Sequence, residues 1–144
     1  MERPDTIKIA EQSFQEIALR FPHLHLVRDE GAPVELMIRL PEQPGLRHKC
    51  SLYLANNDEL NFVVGHFWLD WFPCTNPAKV EAYIEAVSGY LSGRYRILEH
   101  YRGKKCVKAE LQAPRSTDWK TIAASSVMWP PIPWKKTFKE VRNI

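Results

Sequence analysis

The side chains best suited to chemistry in this chain of 144 residues fall into three groupings. The first is His48 and His66, with Cys50 between them in sequence. Imidazole and thiolate are good metal ligands, provided a hairpin brings the two histidines side by side. A metal centre also needs further ligands and groups that orient them, and the neighbours here are Leu52, Phe62 and Val64. The pair is therefore expected to be structural, with no metal and no cofactor. His23 and His25 share one strand phase and are expected to face solvent, because Leu24 and Leu26 take the inward one.

The second grouping centres on Cys74, just ahead of Asn76-Pro77. A thiol near a helix N-terminus is acidified by the positive end of the helix dipole. With His66 as base, His48 nearby, and Asp70 set between Leu69 and Trp71, where aromatic surroundings raise a carboxyl's pKa, the set would suit a thiol- or metal-dependent hydrolase. Against this, an extended strand holds His66 far from Cys74 unless the chain bends at Pro73, and Asp70 has no second carboxylate close in sequence for paired acid and base work. The plainer expectation is a turn thiol and a hydrogen-bond acceptor.

The third grouping is a basic hairpin, Arg94, Arg96, Arg102, Lys104, Lys105 and Lys108, interleaved with Tyr95 and Tyr101 and diluted by Glu99. Cations hold phosphates and tyrosines stack on bases, which is how single-stranded nucleic acid is bound. A solvated strand face carries the same residue types. No glycine-rich RNA-binding motif and no Gly-x-x-x-x-Gly-Lys phosphate loop accompanies it.

The elements that must position these groups are legible from periodicity. Ile7, Ala10, Phe14, Ile17 and Phe21 mark one stripe of a helix over about Asp5 to Arg20, capped by Asp5 and ended by Phe21-Pro22. A short strand at Leu24 to Arg28 and an alternating one at Val34 to Leu40 follow. A three-residue loop at Asn56-Asn57-Asp58 sets Leu54 opposite Leu60, Leu52 opposite Phe62 and Cys50 opposite Val64 on one face. Extending that register predicts His48 opposite His66, with Trp68 inward and Phe67, Leu69 and Trp71 outward.

Asn76-Pro77 starts a second helix with Val80, Tyr83, Ile84, Val87 and Leu91 inward, stopped at Gly93. A hairpin about Arg102-Gly103 comes next, with Leu98, Val107, Ala109 and Leu111 on one face and Glu99 among the residues of the other. Trp119 to Ala124 adds a last short strand. The expected fold is α+β: one mostly antiparallel sheet of six to seven strands with both helices on one face, in a two-layer sandwich. Residues 1–128 form the domain. Residues 129–144, a proline- and tryptophan-rich segment with a basic tail, pack on it or extend from it.

Composition bounds the rest. A chain that is 44% hydrophobic and 26% charged reads as one ordinary globular domain with a sizeable core. Lys135, Lys136, Lys139 and Arg142 against Glu140 account for the whole net charge of +3, so the body is neutral and its field dipolar. Cys50, Cys74 and Cys106 are odd in number, widely spaced and form no Cys-x-x-Cys pair, which argues against a disulfide framework and a zinc knuckle. The N-terminus lacks the pattern of a signal peptide and no apolar run is long enough to span a bilayer, so a cytoplasmic location without membrane attachment is expected.

The dense aromatic run from Gly65 to Cys74 occupies both phases of a strand, and one phase needs a second burial surface. The leading expectation is a non-catalytic interaction protein that binds a protein partner, or its own copy as a homodimer, through Phe67, Trp71 and Phe72, with Tyr95 and Tyr101 as a second patch. The element order is similar to that of the small helix-and-sheet scaffolds of secretion chaperones and toxin-immunity proteins, though no residue motif carries the likeness. The alternatives are the hydrolase of His48, His66, Asp70 and Cys74, and nucleic-acid binding through Arg94, Arg96, Lys104, Lys105 and the tail.

Overall fold

The computed structural model describes residues 5–126 and 135–143. Helix α1 spans Thr6–Arg20, and Asp5 caps it by accepting from Lys8 N at 3.1 Å, which satisfies an amide that the first turn leaves unpaired. Ala10, Phe14, Ile17 and Phe21 are buried as their spacing predicts, while Ile7, in the first turn, stays 43% exposed. Strands β1 (Val27–Arg28), β2 (Leu36–Leu40), β3 (Cys50–Ala55), β4 (Glu59–Val64) and β5 (Phe67–Trp71) form an antiparallel meander in chain order. Its central register is the one the hydrophobic pattern selects, with Leu54 opposite Leu60, Leu52 opposite Phe62 and Cys50 opposite Val64.

Helix α2 spans Pro77–Leu91, with the Asn76 side chain accepting from Ala78 N at 3.0 Å and Pro77 in its first turn. Strands β6 (Arg96–Arg102), β7 (Lys105–Arg115), β8 (Asp118–Ser126) and β9 (Lys136–Arg142) then build a second antiparallel sheet in the order β8-β7-β6-β9. The mixed α+β class holds, but the single sheet of six to seven strands is two sheets, of five and four strands. The reason lies at two edges. Part of the basic tail forms β9 and occupies the edge of β6 along its whole length, while the edge of β5 meets a side chain, Trp68 N donating to Ser125 Oγ at 3.4 Å. The segment Trp129 to Trp134 lies outside the described residues.

One core joins both sheets and both helices. Leu52, Leu54, Leu60 and Phe62 supply the first sheet's inner face, Ile17, Tyr83 and Tyr90 the helices, and Ile97, Leu111 and Val141 the second sheet. Phe62 sits at its middle, edge-on to Phe67 at 6.0 Å and to Tyr90 at 5.7 Å.

Two phases differ from expectation. Gly65 and His66 are a two-residue turn, not strand, so the chain reverses after Val64 and β5 pairs back along β4. Gly65 takes φ 57 at the first central position, the arrangement a II′ hairpin turn requires. The reversal puts Phe67, Leu69 and Trp71 inward, opposite Val64, Phe62 and Leu60, and Trp68 outward, opposite Val63. In β6 the inward residues are Ile97 and Glu99, opposite Leu111 and Ala109, while Leu98 faces outward beside Glu110.

Burial raises the hydroxyl pKa of Tyr83, Tyr90 and Tyr101 above the ordinary tyrosine value, with the hydrogen bond and charge of Glu99 adding to the effect at Tyr101. As pH rises past about 10 the unfolded chain releases these protons and the folded chain keeps them, so the unfolded state binds fewer protons and stability falls. Urea midpoints should therefore drop from about pH 9 to about pH 11. A flat profile would contradict the burial of these hydroxyls.

Candidate functional site

The turn at Gly65-His66 organises the aromatic run, and a buried carboxylate holds it. Glu99, 1% exposed, accepts from His66 N at 2.8 Å through one oxygen and from the Tyr101 hydroxyl at 2.8 Å through the other. The His66 ring stands edge-on to Tyr101 at 6.0 Å. A Cβ at position 65 would meet Glu99 Oε2 at 2.8 Å, so both the space and the backbone conformation demand glycine there.

The outer face of the first sheet carries two rows across β2, β3, β4 and β5: Met37, Tyr53, Asn61, Asp70, and beside it Arg39, Ser51, Val63, Trp68. Trp68 is 60% exposed, yet its indole is fixed, Nε1 donating to Asn61 Oδ1 at 3.0 Å. Asn61 is itself held by donating from Nδ2 to Glu59 O at 3.1 Å. The solvent-facing indole is thus held in one orientation, on a face it shares with Met37, Tyr53 and Val63.

The residues expected to bind a partner are dispersed. Phe67 is fully buried, and Trp71 is half-buried against Tyr83, ring centroids 5.5 Å apart. Phe72 is 52% exposed beyond the end of β5, about 13 Å of strand from Trp68. Tyr95 lies across α2, where a Cβ on Gly89 would fall 2.1 Å from its ring, and its main chain is fixed by Tyr95 N donating to Gly89 O at 2.9 Å. Tyr101 is committed to Glu99 at the other end of β6.

The hydrolase set is not brought together. His66 and Cys74 lie at opposite ends of β5, roughly 17 Å of strand apart. Asp70 is on the outer face, opposite Asn61. His48 is half-buried beside a cavity of about 550 Å³ shared with Arg39, Glu42, Lys49 and Ser51, and it is not a cross-strand partner of His66, which sits in the turn. Burial and the charge of Asp58 push the Cys74 thiol up, against the lowering expected from the helix, and Cys74 N is spent on Asp58 O at 2.9 Å. Among the described residues no group of three or more histidine, cysteine, aspartate or glutamate side chains is placed to hold a metal ion, and no helix is long and apolar enough to cross a membrane.

The basic hairpin divides. Arg94 lies 5.2 Å over Tyr95. Arg96 stacks 4.3 Å over Trp119, donates to Gln112 Oε1 at 2.8 Å and pairs with Glu140 at 2.9 Å, so it holds β6, β7, β8 and β9 together. Lys104 is exposed at the turn and Lys105 is half-buried. On the same sheet Lys108 pairs with Glu110 at 3.0 Å, and His100 Nε2 lies 3.2 Å from Glu110, close enough for an ion pair but outside hydrogen-bond geometry. Sequence reasoning missed Trp68 as the outward residue, Glu99 as a buried anchor and Phe138, 59% exposed on β9; a lone glycine inside an apolar run was the available sign of the turn. Set against family models, curated proteins and solved structures, the chain matches none.

Proposed function

We propose that the chain is a small, non-catalytic interaction protein that docks a second protein chain on the outer face of its five-stranded sheet, with Trp68 as the anchor. The observation that carries this is the combination of exposure and fixation at Trp68: 60% of it is open to solvent while its indole nitrogen is already bonded to Asn61. A rigid, exposed tryptophan loses little entropy on contact and is the residue type most often found at binding hot spots.

The occupant proposed for this face is a second copy of the chain. Turned about a twofold axis along the strands between β3 and β4, one face meets the other with β2 over β5. The row Arg39, Ser51, Val63, Trp68 then runs against itself in reverse. Each Arg39 guanidinium, held through Nε by Asp29 at 2.7 Å, would turn its open face over the partner's Trp68 ring, a cation–π contact repeated by the symmetry.

Sedimentation velocity at about 100 µM detects association as weak as roughly −5.5 kcal/mol. The wild type is expected to sediment as a dimer, and Trp68→Ala to weaken association by about 2 kcal/mol, near thirtyfold. A wild type that remains monomeric at that concentration, or a dimer indifferent to Trp68→Ala, would overturn the reading.

A further inference from the structure

A second surface, independent of Trp68, is built where the tip of the β6–β7 hairpin meets the start of β9. The register sets Arg102 directly opposite Lys105 on one side and opposite Lys136 on the other, so three cationic side chains cross the sheet in one row. Gly103 N donates to Lys135 O at 3.1 Å, which ties the hairpin tip to the tail and brings Lys104 and Lys135 beside that row. These residues come from two parts of the chain at least 30 positions apart. Like charges set directly opposite in a sheet repel one another, so such a row is a liability that an anionic ligand would relieve.

Among the described residues no acidic side chain pairs with Arg102 or Lys136 in this row. Residues 100–109 and 135–139 contain none, Glu99 is buried under Tyr101, and Glu140 is engaged by Arg96. Glu110 is held by Lys108 and His100; burial alone would raise its carboxyl pKa, but those two partners bring it below the ordinary value.

Beside the row lies a cavity of about 310 Å³ lined by His100, Tyr101, Arg102, Lys108, Lys136 and Phe138. Phe138 stands two residues along β9 from Lys136, hence on the same face about 7 Å away. Its ring is 59% exposed and braced edge-on by His100 at 5.0 Å. Cations beside an open aromatic platform suit a phosphate backbone with an unstacked base, and a duplex would keep its bases from the ring.

We propose that this end of the four-stranded sheet binds single-stranded nucleic acid, with Arg102 and Lys136 on phosphates and Phe138 under a base. The test is fluorescence anisotropy with a labelled oligothymidylate of about 15 nucleotides, across a salt series, against a duplex of equal length and poly-glutamate. Arg102→Gln and Lys136→Gln should each lower the slope of log affinity against log salt by about 0.7. Phe138→Ala should weaken binding about tenfold without changing that slope. All three side chains lie at the surface, and an unchanged thermal midpoint for each variant separates lost contact from lost fold. Slopes unmoved by the charge variants, affinity unmoved by Phe138→Ala, or equal binding of the duplex or of poly-glutamate would overturn the proposal.

Discussion

Phe67→Ala is expected to lower the unfolding free energy by about 3–5 kcal/mol, whereas Trp68→Ala, one residue along, should cost about 1 kcal/mol. The asymmetry follows from the turn at Gly65-His66. Phe67 is fully buried, opposite Val64, with its ring 6.0 Å from Phe62, which is in turn 5.7 Å from Tyr90. Removing it forfeits the transfer energy of an aromatic ring and leaves a void between residues that a sheet and a helix hold in place, so little collapse offsets the loss. Trp68 gives up one hydrogen bond at a solvated surface.

Denaturant titration of the two variants distinguishes this phase from its opposite, in which β4 would run straight through Gly65 and Trp68 would be the inward residue. Near-equal losses, or a larger loss at Trp68, would refute the turn. The same pair of variants separates stability from association. If Trp68 is the anchor of a twofold dimer, Trp68→Ala loses the dimer while keeping most of its folding energy. Phe67→Ala loses folding energy first, and its association falls only as the folded fraction does.

The β3–β4 hairpin was legible in the sequence because its polar and apolar residues alternate and only one loop length puts the apolar ones together. The next hairpin was not. From Phe62 through Phe72 both phases carry large apolar or aromatic side chains, so alternation could not report a reversal, and the burden fell on a single glycine. The same ambiguity operates at Ile97-Leu98, adjacent aliphatics of which the sheet buries only the first. The basic cluster was visible as two separate runs, Arg94 to Lys108 and Lys135 to Arg142. What joins them is a pairing between distant strands, which local pattern does not encode, and that pairing moves the cationic centre from Arg94 and Arg96 to Arg102 and Lys136.

Glu99 was the least legible residue of all, since a glutamate in a basic hairpin reads as solvated, and its replacement carries the other large expected effect. Glu99→Ala should destabilise the fold by about 3–5 kcal/mol, and Glu99→Gln by roughly half as much. The carboxylate accepts from two donors at once, His66 N and the Tyr101 hydroxyl, each at 2.8 Å and with almost no solvent access. Alanine removes the acceptor and strands both donors. Glutamine keeps one oxygen but turns an N–H toward the other donor, so it can serve the turn or the tyrosine, not both.

An ordering of wild type above Gln above Ala in urea titration is therefore expected, and equal losses of less than about 1 kcal/mol would show that the buried bonds contribute little. The consequence reaches both proposed surfaces. His66 N fixes the turn that aims Trp68 outward, and Tyr101 lines the cavity next to Arg102 and Phe138. Glu99→Gln should thus weaken dimerisation if it releases the turn, or oligothymidylate binding if it releases Tyr101. Which of the two falls reports where the surviving oxygen goes, because the residue stands between the two faces.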